Sequence, residues 1–292
     1  MRYLNLSVPE YKLLYKISLR NKISFLVGDS ATGKSRLVEF ISRYNRNKET
    51  GIGLNEDIVV NSDFKNIFAV ESKNDLITYS SIKGSLLIVD ELYMNIILQN
   101  LNIVKKSENF FLLIFRDMIS NITTGIYDIL ELCSDKDGEY TLNYSKPIYS
   151  FEECKINPDF ALVEDSGSGY KFYTSVLSVK CLTSKGKTRV IKGIYKLLDR
   201  TDKDILIIVD EVGFGYEFNK LMSYMDKDLS RVYFWCPLSF EYVLLNSGMF
   251  HMETEDIFDI CDWCRYSTIE KFIEHQLRDN MRKKGYNYSK GG

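Results

Sequence analysis

The sequence predicts a two-unit α/β protein, and three observations lead there. Short apolar runs alternate with helix-like stretches, the alternation restarts in the second half, and 292 residues exceed one domain at roughly 150 residues each. In the first half, Ile23–Val27 is a β-branched and aromatic run ending in a glycine loop, and Ser35–Arg43 then reads as a helix. Ile67–Val70, Leu86–Val89 and Phe110–Phe115 are apolar runs short enough for buried parallel strands, with the helical run Leu92–Leu101 between the last two. Turn chemistry at Asp135–Gly138 and Ser145–Pro147 places a boundary near residues 147–157. Beyond it come strand Ala161–Val163, helix Tyr170–Leu177, strand Val179–Leu182, helix Lys187–Leu198, strand Ile205–Val209, helix Phe218–Met225 and strand Arg231–Trp235. A last helix runs to Asn280 before a polar, basic tail. The expected units are therefore 1–150, with a parallel sheet, and 151–292, a smaller α/β unit.

Composition narrows the function classes. Hydrophobic residues at 45% and charged residues at 27% exclude a disordered chain. Lys and Arg total 38 against 40 Asp and Glu, so nucleic acid would have to be met by a local patch rather than by the whole surface. The halves carry 18 basic and 18 acidic, then 20 basic and 22 acidic residues, so charge does not separate their roles. Six irregularly spaced cysteines do not form a disulfide framework, and no apolar run approaches the ~18 residues of a membrane span. MRYLNLSVPEYKLLYK has no leader-like apolar core, so a cytosolic protein with reduced thiols is expected.

Gly28-Asp29-Ser30-Ala31-Thr32-Gly33-Lys34-Ser35 fits G-x-x-x-x-G-K-[ST] at every fixed position. Such a loop wraps a phosphate with inward backbone N–H groups, its glycines permit the close approach, and the following helix turns its positive end to the anion. Arg36 continues the segment into that helix. Lys34 is expected to reach the β- and γ-phosphates of ATP, and the Ser35 hydroxyl to hold Mg²⁺. The flanks KISFLVG and SRLVEFI supply the required strand and helix. Leu86–Val89 ends in Asp90-Glu91, where Asp90 would join the Mg²⁺ shell, directly or through water, and Glu91 would polarise the attacking water. A water-activating Glu favours hydrolysis over transfer to an acceptor. Asn109–Phe115 ends in Arg116-Asp117. This order of loop, acidic pair and following strand resembles the AAA-like branch of P-loop ATPases. The resemblance implies a γ-phosphate sensor on that following strand, at Arg116. No LSGGQ-like signature occurs, so a complete ABC ATPase is not expected.

In the second half Lys185-Gly186-Lys187-Thr188 echoes the first loop, and Ile207–Val212 echoes the acidic strand. A second phosphate loop is excluded because Cys181 stands where its first glycine would be, and only about 20 residues separate loop from acidic strand. Phe160–Glu164, the helix around Lys171–Tyr173, the turn Cys181–Lys187 and Ile205–Asp210 together resemble the toprim fold of topoisomerases, primases and OLD-type nucleases. That resemblance implies Mg²⁺ ligands at Glu164 and Asp210. Two departures stand against it: Val212 occupies the second acidic position, where Glu211 or Glu217 would have to substitute, and Asp165 replaces the usual glycine after the glutamate.

Lys185, Lys187, Arg189, Lys192, Lys196 and Arg200, with Arg278, Arg282, Lys283, Lys284 and Lys290, offer a local basic patch for DNA or RNA, or an ordinary solvated face. Cys261-Asp262-Trp263-Cys264 is a lone C-x-x-C, with His251 the only nearby histidine, and reads as two thiols rather than a zinc site. The fold expectation is a P-loop NTPase parallel-sheet domain followed by a smaller toprim-like α/β domain. The combination resembles ATPase–toprim defence proteins of bacteria and mobile elements. It implies Mg²⁺-dependent ATP hydrolysis coupled to action on nucleic acid. The alternative is a nucleotide-gated module that binds a protein partner and cuts nothing.

Overall fold

The computed structural model describes residues 1–28, 33–50, 57–116, 118–223, 229–248, 266 and 268–288. The chain divides into two compact units, one built on Met1–Tyr149, the other on Ser150–Glu255 and Ile269–Gly292. Tyr266 and Thr268 group with the first unit before the chain re-enters the second.

The first unit holds nine strands: β1 (Arg2–Val8), β2 (Leu13–Leu19), β3 (Ile23–Val27), β4 (Val59–Ser62), β5 (Asn66–Ala69), β6 (Ser85–Asp90), β7 (Phe110–Ile114), β8 (Ile129–Asp137) and β9 (Tyr140–Pro147). They form one sheet in the order β4-β1-β2-β9-β8-β3-β7-β6-β5. The sheet is mixed, not parallel as expected. β5, β6, β7, β3 and β8 run parallel to one another, as β2 and β9 do, whereas β8–β9, β1–β2 and β1–β4 pair antiparallel. The parallel strands are the continuous apolar runs: β6 and β7 are buried at every position, as strands covered on both faces must be. The antiparallel extension follows a period of two. Leu4, Leu6 and Val8 on β1 and Tyr15, Ile17 and Leu19 on β2 are buried, alternating with more exposed residues. Turn chemistry at Asp135–Gly138 marks the β8–β9 hairpin, with the unit division following at Tyr149.

Helix α1 (Lys34–Thr50) begins at the end of the glycine loop and packs on β5 and β6. α2 (Lys73–Ser80) starts at Ser72, whose hydroxyl accepts the Asp75 amide. The expected helix Leu92–Leu101 is instead a 3₁₀ turn over Glu91–Tyr93 followed by α3 (Met94–Gln99) and α4 (Leu101–Lys106).

The second unit has a four-stranded, wholly parallel sheet: β10 (Phe160–Val163), β11 (Lys180–Thr183), β12 (Ile205–Ile208) and β13 (Val232–Trp235), in the order β11-β10-β12-β13. Its helices are α5 (Ser168–Val176), α6 (Val190–Leu198), α7 (Gly215–Ser223), α8 (Phe240–Leu245) and α9 (Ile269–Lys283). α9 packs on α8. Among the described residues no helix is long and apolar enough to cross a membrane.

Candidate functional sites

Both sites lie where β/α units usually place them, beyond the C-terminal ends of parallel strands. In the first unit the register aligns three strands. Leu26 on β3 pairs with Ile114 on β7, and Ile114 pairs with Asp90 on β6. The loop opens at Gly28, two residues past Leu26, and Arg116 stands two past Ile114. With neighbouring strands roughly 4.8 Å apart, the loop strand and the acidic strand are about 10 Å apart, with the Arg116 strand between them.

Gly28 and Gly33 bracket the loop at φ +123° and +89°, backbone that a side chain would strain. A Cβ at Gly28 would come within 3.7 Å of Lys34 Nζ, and one at Gly33 within 3.5 Å of the Tyr15 hydroxyl. Asp29, Ser30, Ala31 and Thr32 lie outside the described residues, as does Asp117. Lys34 is buried at the start of α1, and its ammonium donates to the Gly28 carbonyl at 2.8 Å, so it lies folded into the loop. Ser35 and Arg36 are exposed on the first turn, which holds no acidic residue. The Arg36 guanidinium sits 5.9 Å from the centre of the Tyr11 ring. Asp90 is 7% exposed and accepts the Leu92 amide at 3.1 Å. Glu91 follows it and pairs with Arg116 Nε at 3.1 Å, both side chains remaining well exposed. Sequence reasoning did not single out Tyr15, whose hydroxyl donates to the Gly33 carbonyl at 3.4 Å. Burial raises its pKa, with Arg36 opposing.

The second site is a cavity of about 460 Å³ at the ends of β10 and β12. It brings together Glu164 and Asp210, as the sequence implied, with the Asp210 amide donating to Glu164 Oε2 at 3.2 Å. It adds Asp165, Glu241 from α8 and Glu270 from α9. Glu211 and Glu217, the expected substitutes for the missing second acid, are buried and do not line it. The Glu164 carboxyl is pushed up to about 7, chiefly by burial. The Asp210 amide and Lys187 pull the other way, and Glu270 and Asp165 add to the rise. Asp165 is turned back onto its own helix, its carboxylate accepting the amides of Ser166 (2.6 Å), Gly167 (2.9 Å) and Gly169 (2.8 Å). It thereby satisfies one amide of the first turn of α5, that of Gly169, and two in the turn that leads into it.

Among the described residues no group of three or more His, Cys, Asp or Glu side chains is gathered closely enough to hold an ion, and Glu164 and Asp210 stand together on the cavity wall. The carboxylates come from four separate elements spaced around a cavity far wider than a cation. Cys181 lies within β11 opposite Ala161, which removes the second loop geometrically. The basic run also divides: α6 begins at Val190, after a 3₁₀ turn over Lys187–Arg189, rather than at Lys187. Lys185 stands at φ +62° on the cavity wall and Lys187 Nζ donates to the Gly213 carbonyl at 3.2 Å, while Arg189, Lys192, Lys196 and Arg200 are exposed. The C-x-x-C pair, His251 and Lys290 lie outside the described residues. Comparison of the chain with protein-family models, with curated proteins and with solved structures finds no match in any of the three.

Proposed function

We propose that the first unit binds and hydrolyses ATP with Mg²⁺, and that the second unit is a ligand-binding module, gated by the nucleotide, that cuts nothing. The observation that carries the first half is the row Leu26–Ile114–Asp90. It sets a glycine-bracketed loop, an arginine and an acidic pair on three adjacent parallel strands at one level. The residues fit the groups they would hold. Lys34 reaches the mouth of the loop, and the Ser35 and Asp90 oxygens are a hydroxyl and a carboxylate, the hard donors that Mg²⁺ takes. When bound, the nucleotide supplies the γ-phosphoryl group and the metal neutralises its oxygens. The loop amides and Lys34 bind and orient the phosphates, and Glu91 is the base that takes a proton from water.

Arg116 pairs with that base in this structure. An exposed ion pair is worth about 0–1 kcal/mol, so a phosphate oxygen can draw Arg116 away at little cost. Arg116 would then report the γ-phosphate and release Glu91 together. The departures from the toprim pattern at Asp165 and Val212 favour binding over cutting in the second unit. Action on nucleic acid is a second reading, favoured by the exposed Arg189, Lys192, Lys196 and Arg200.

The test is phosphate release from ATP with Mg²⁺, with and without DNA, in wild type, Lys34→Ala and Glu91→Gln. Release should fall in both variants, by roughly 10²–10⁴-fold in Glu91→Gln, which should keep ATP binding. DNA stimulation lost in Lys34→Ala would support the second reading. Tight ATP binding without release would overturn hydrolysis and leave a latch.

A further inference from the structure

A buried tyrosine on β2 joins the antiparallel strands of the first sheet to the phosphate loop. Tyr15 is 1% exposed, and among the described residues its hydroxyl donates to the Gly33 carbonyl at 3.4 Å. Gly33 lies in a notch between β2 and β8. A Cβ there would stand 3.5 Å from the Tyr15 hydroxyl and 3.9 Å from a Leu132 methyl. The tyrosine is held independently of the loop. Its backbone sits opposite Leu6 on β1 and Asn143 on β9, and its ring meets Phe40 of α1 edge-on, with centres 6.2 Å apart. Phenylalanine would fill the same place beside Phe40, so packing alone does not call for the hydroxyl.

The hydroxyl acts on the last peptide before α1. The Gly33 carbonyl already accepts the Leu37 amide at 3.1 Å, a bond that runs along the helix and holds the oxygen from one side. Tyr15 takes the second lone pair of the same oxygen from a strand rather than from the helix. In a planar trans peptide the carbonyl and the following N–H point in opposite directions. Holding the Gly33 oxygen from two directions therefore fixes the aim of the Lys34 amide, one of those that a wrapped phosphate would meet. Glycine at φ +89° lets the chain turn here but adds no stiffness of its own. A phosphate accepting from Lys34 would also complete a chain from hydroxyl to carbonyl to amide, and each link in such a chain polarises the next.

We infer that Tyr15 is a positioning residue of the nucleotide site, its hydroxyl locking the Gly33–Lys34 peptide so that the Lys34 amide faces the phosphates. The inference rests on the reading of the first unit as nucleotide-binding and adds a part from outside the loop motif. It also makes the antiparallel strands part of the site, because β2 cannot shift against β1 and β9 without carrying the hydroxyl with it.

The test compares the full chain with Tyr15→Phe, at a temperature well below both melting transitions. Binding of ATP and of inorganic triphosphate is measured by calorimetry with Mg²⁺, and phosphate release from ATP at steady state. Tyr15→Phe should bind both ligands roughly three- to tenfold more weakly, the effect of one hydrogen bond. Its KM should rise by a similar factor while kcat falls less, and its melting temperature without nucleotide should stay close to that of wild type. Equal triphosphate binding by the two chains would overturn the inference and leave the nucleotide reading standing. A lower melting temperature with triphosphate affinity unchanged would make the hydroxyl a core group only. Failure of wild type to bind either ligand would sink the nucleotide reading and the inference with it.

Discussion

The two units gather charged residues in the same topological place, lysine and arginine beside an acidic pair in the first and chiefly carboxylates in the second. Each has parallel strands whose C-terminal ends meet the start of a helix, α1 after β3 and α5 after β10. In the first unit that helix starts with Lys34 and has no acid in its first turn, so nothing within that turn opposes an anion at its positive end. In the second, Asp165 lies across the start of α5 and takes three amides, and the cavity beyond is walled by acids. One backbone plan thus carries different charges where strand passes into helix, and in the second unit Asp165 supplies an anion from within.

Four measurements would sharpen or break this contrast. Lys34→Ala should have the largest effect, lowering phosphate release by about 10²–10³-fold, since it removes the charge nearest the phosphates. An unchanged rate would end the anion-receptor description of the first unit. The second concerns Glu164, whose folded value of about 7 lies above its ordinary 4.5. Between those values the folded chain binds more protons than the unfolded one. This contribution is complete below pH 4.5 and is lost as pH rises through about 7. Its size is on the order of 2 kcal/mol, because the half-buried carboxyl keeps some solvent. Urea melts at pH 5.5 and 8 should show the larger part of that loss in wild type, with Glu164→Gln flattening it.

Third, Asp165→Ala should cost about 1 kcal/mol in the same melts by removing the acceptor of the Ser166, Gly167 and Gly169 amides. It should also create a sulfate-dependent stabilisation that wild type lacks. No gain with sulfate would mean that the start of α5 is not the counterpart of the first unit's loop. The smallest effect is that of Arg116→Ala on stability, within about 1 kcal/mol because its pair with Glu91 is exposed. If ATP hydrolysis fell while stability held, Arg116 would be separated from a merely structural role.

The legibility of the chain followed burial. β3, β6, β7, β10 and β12 stand out in the sequence because strands covered on both faces are unbroken apolar runs bounded by turns. β1, β2, β8 and β9 do not, because they carry tyrosine, asparagine and lysine on a face that meets solvent. β9, YTLNYSKP, buries only Asn143. The mixed character of the first sheet was hidden for that reason. The phosphate loop was legible because its spacing is local. The cavity was half legible: Glu164 and Asp210 end apolar strands, but Glu241 and Glu270 are ordinary helix glutamates until α8 and α9 pack together. Tyr15 carries no sequence signal at all, since a buried tyrosine that meets the phosphate loop is defined only by its surroundings.

The late return of α9 to the second unit has a consequence for synthesis. The sheet β10–β13 and α8 are complete in order along the chain, but Glu270 and Tyr288 follow only after residues that group with the first unit. During vectorial synthesis the sheet can form while its acidic cavity still lacks a wall, and the emerging C-terminal helix supplies that wall last. A nascent chain stalled before Ile269 would therefore carry the four-stranded scaffold with an open mouth, still without Glu270 and Tyr288.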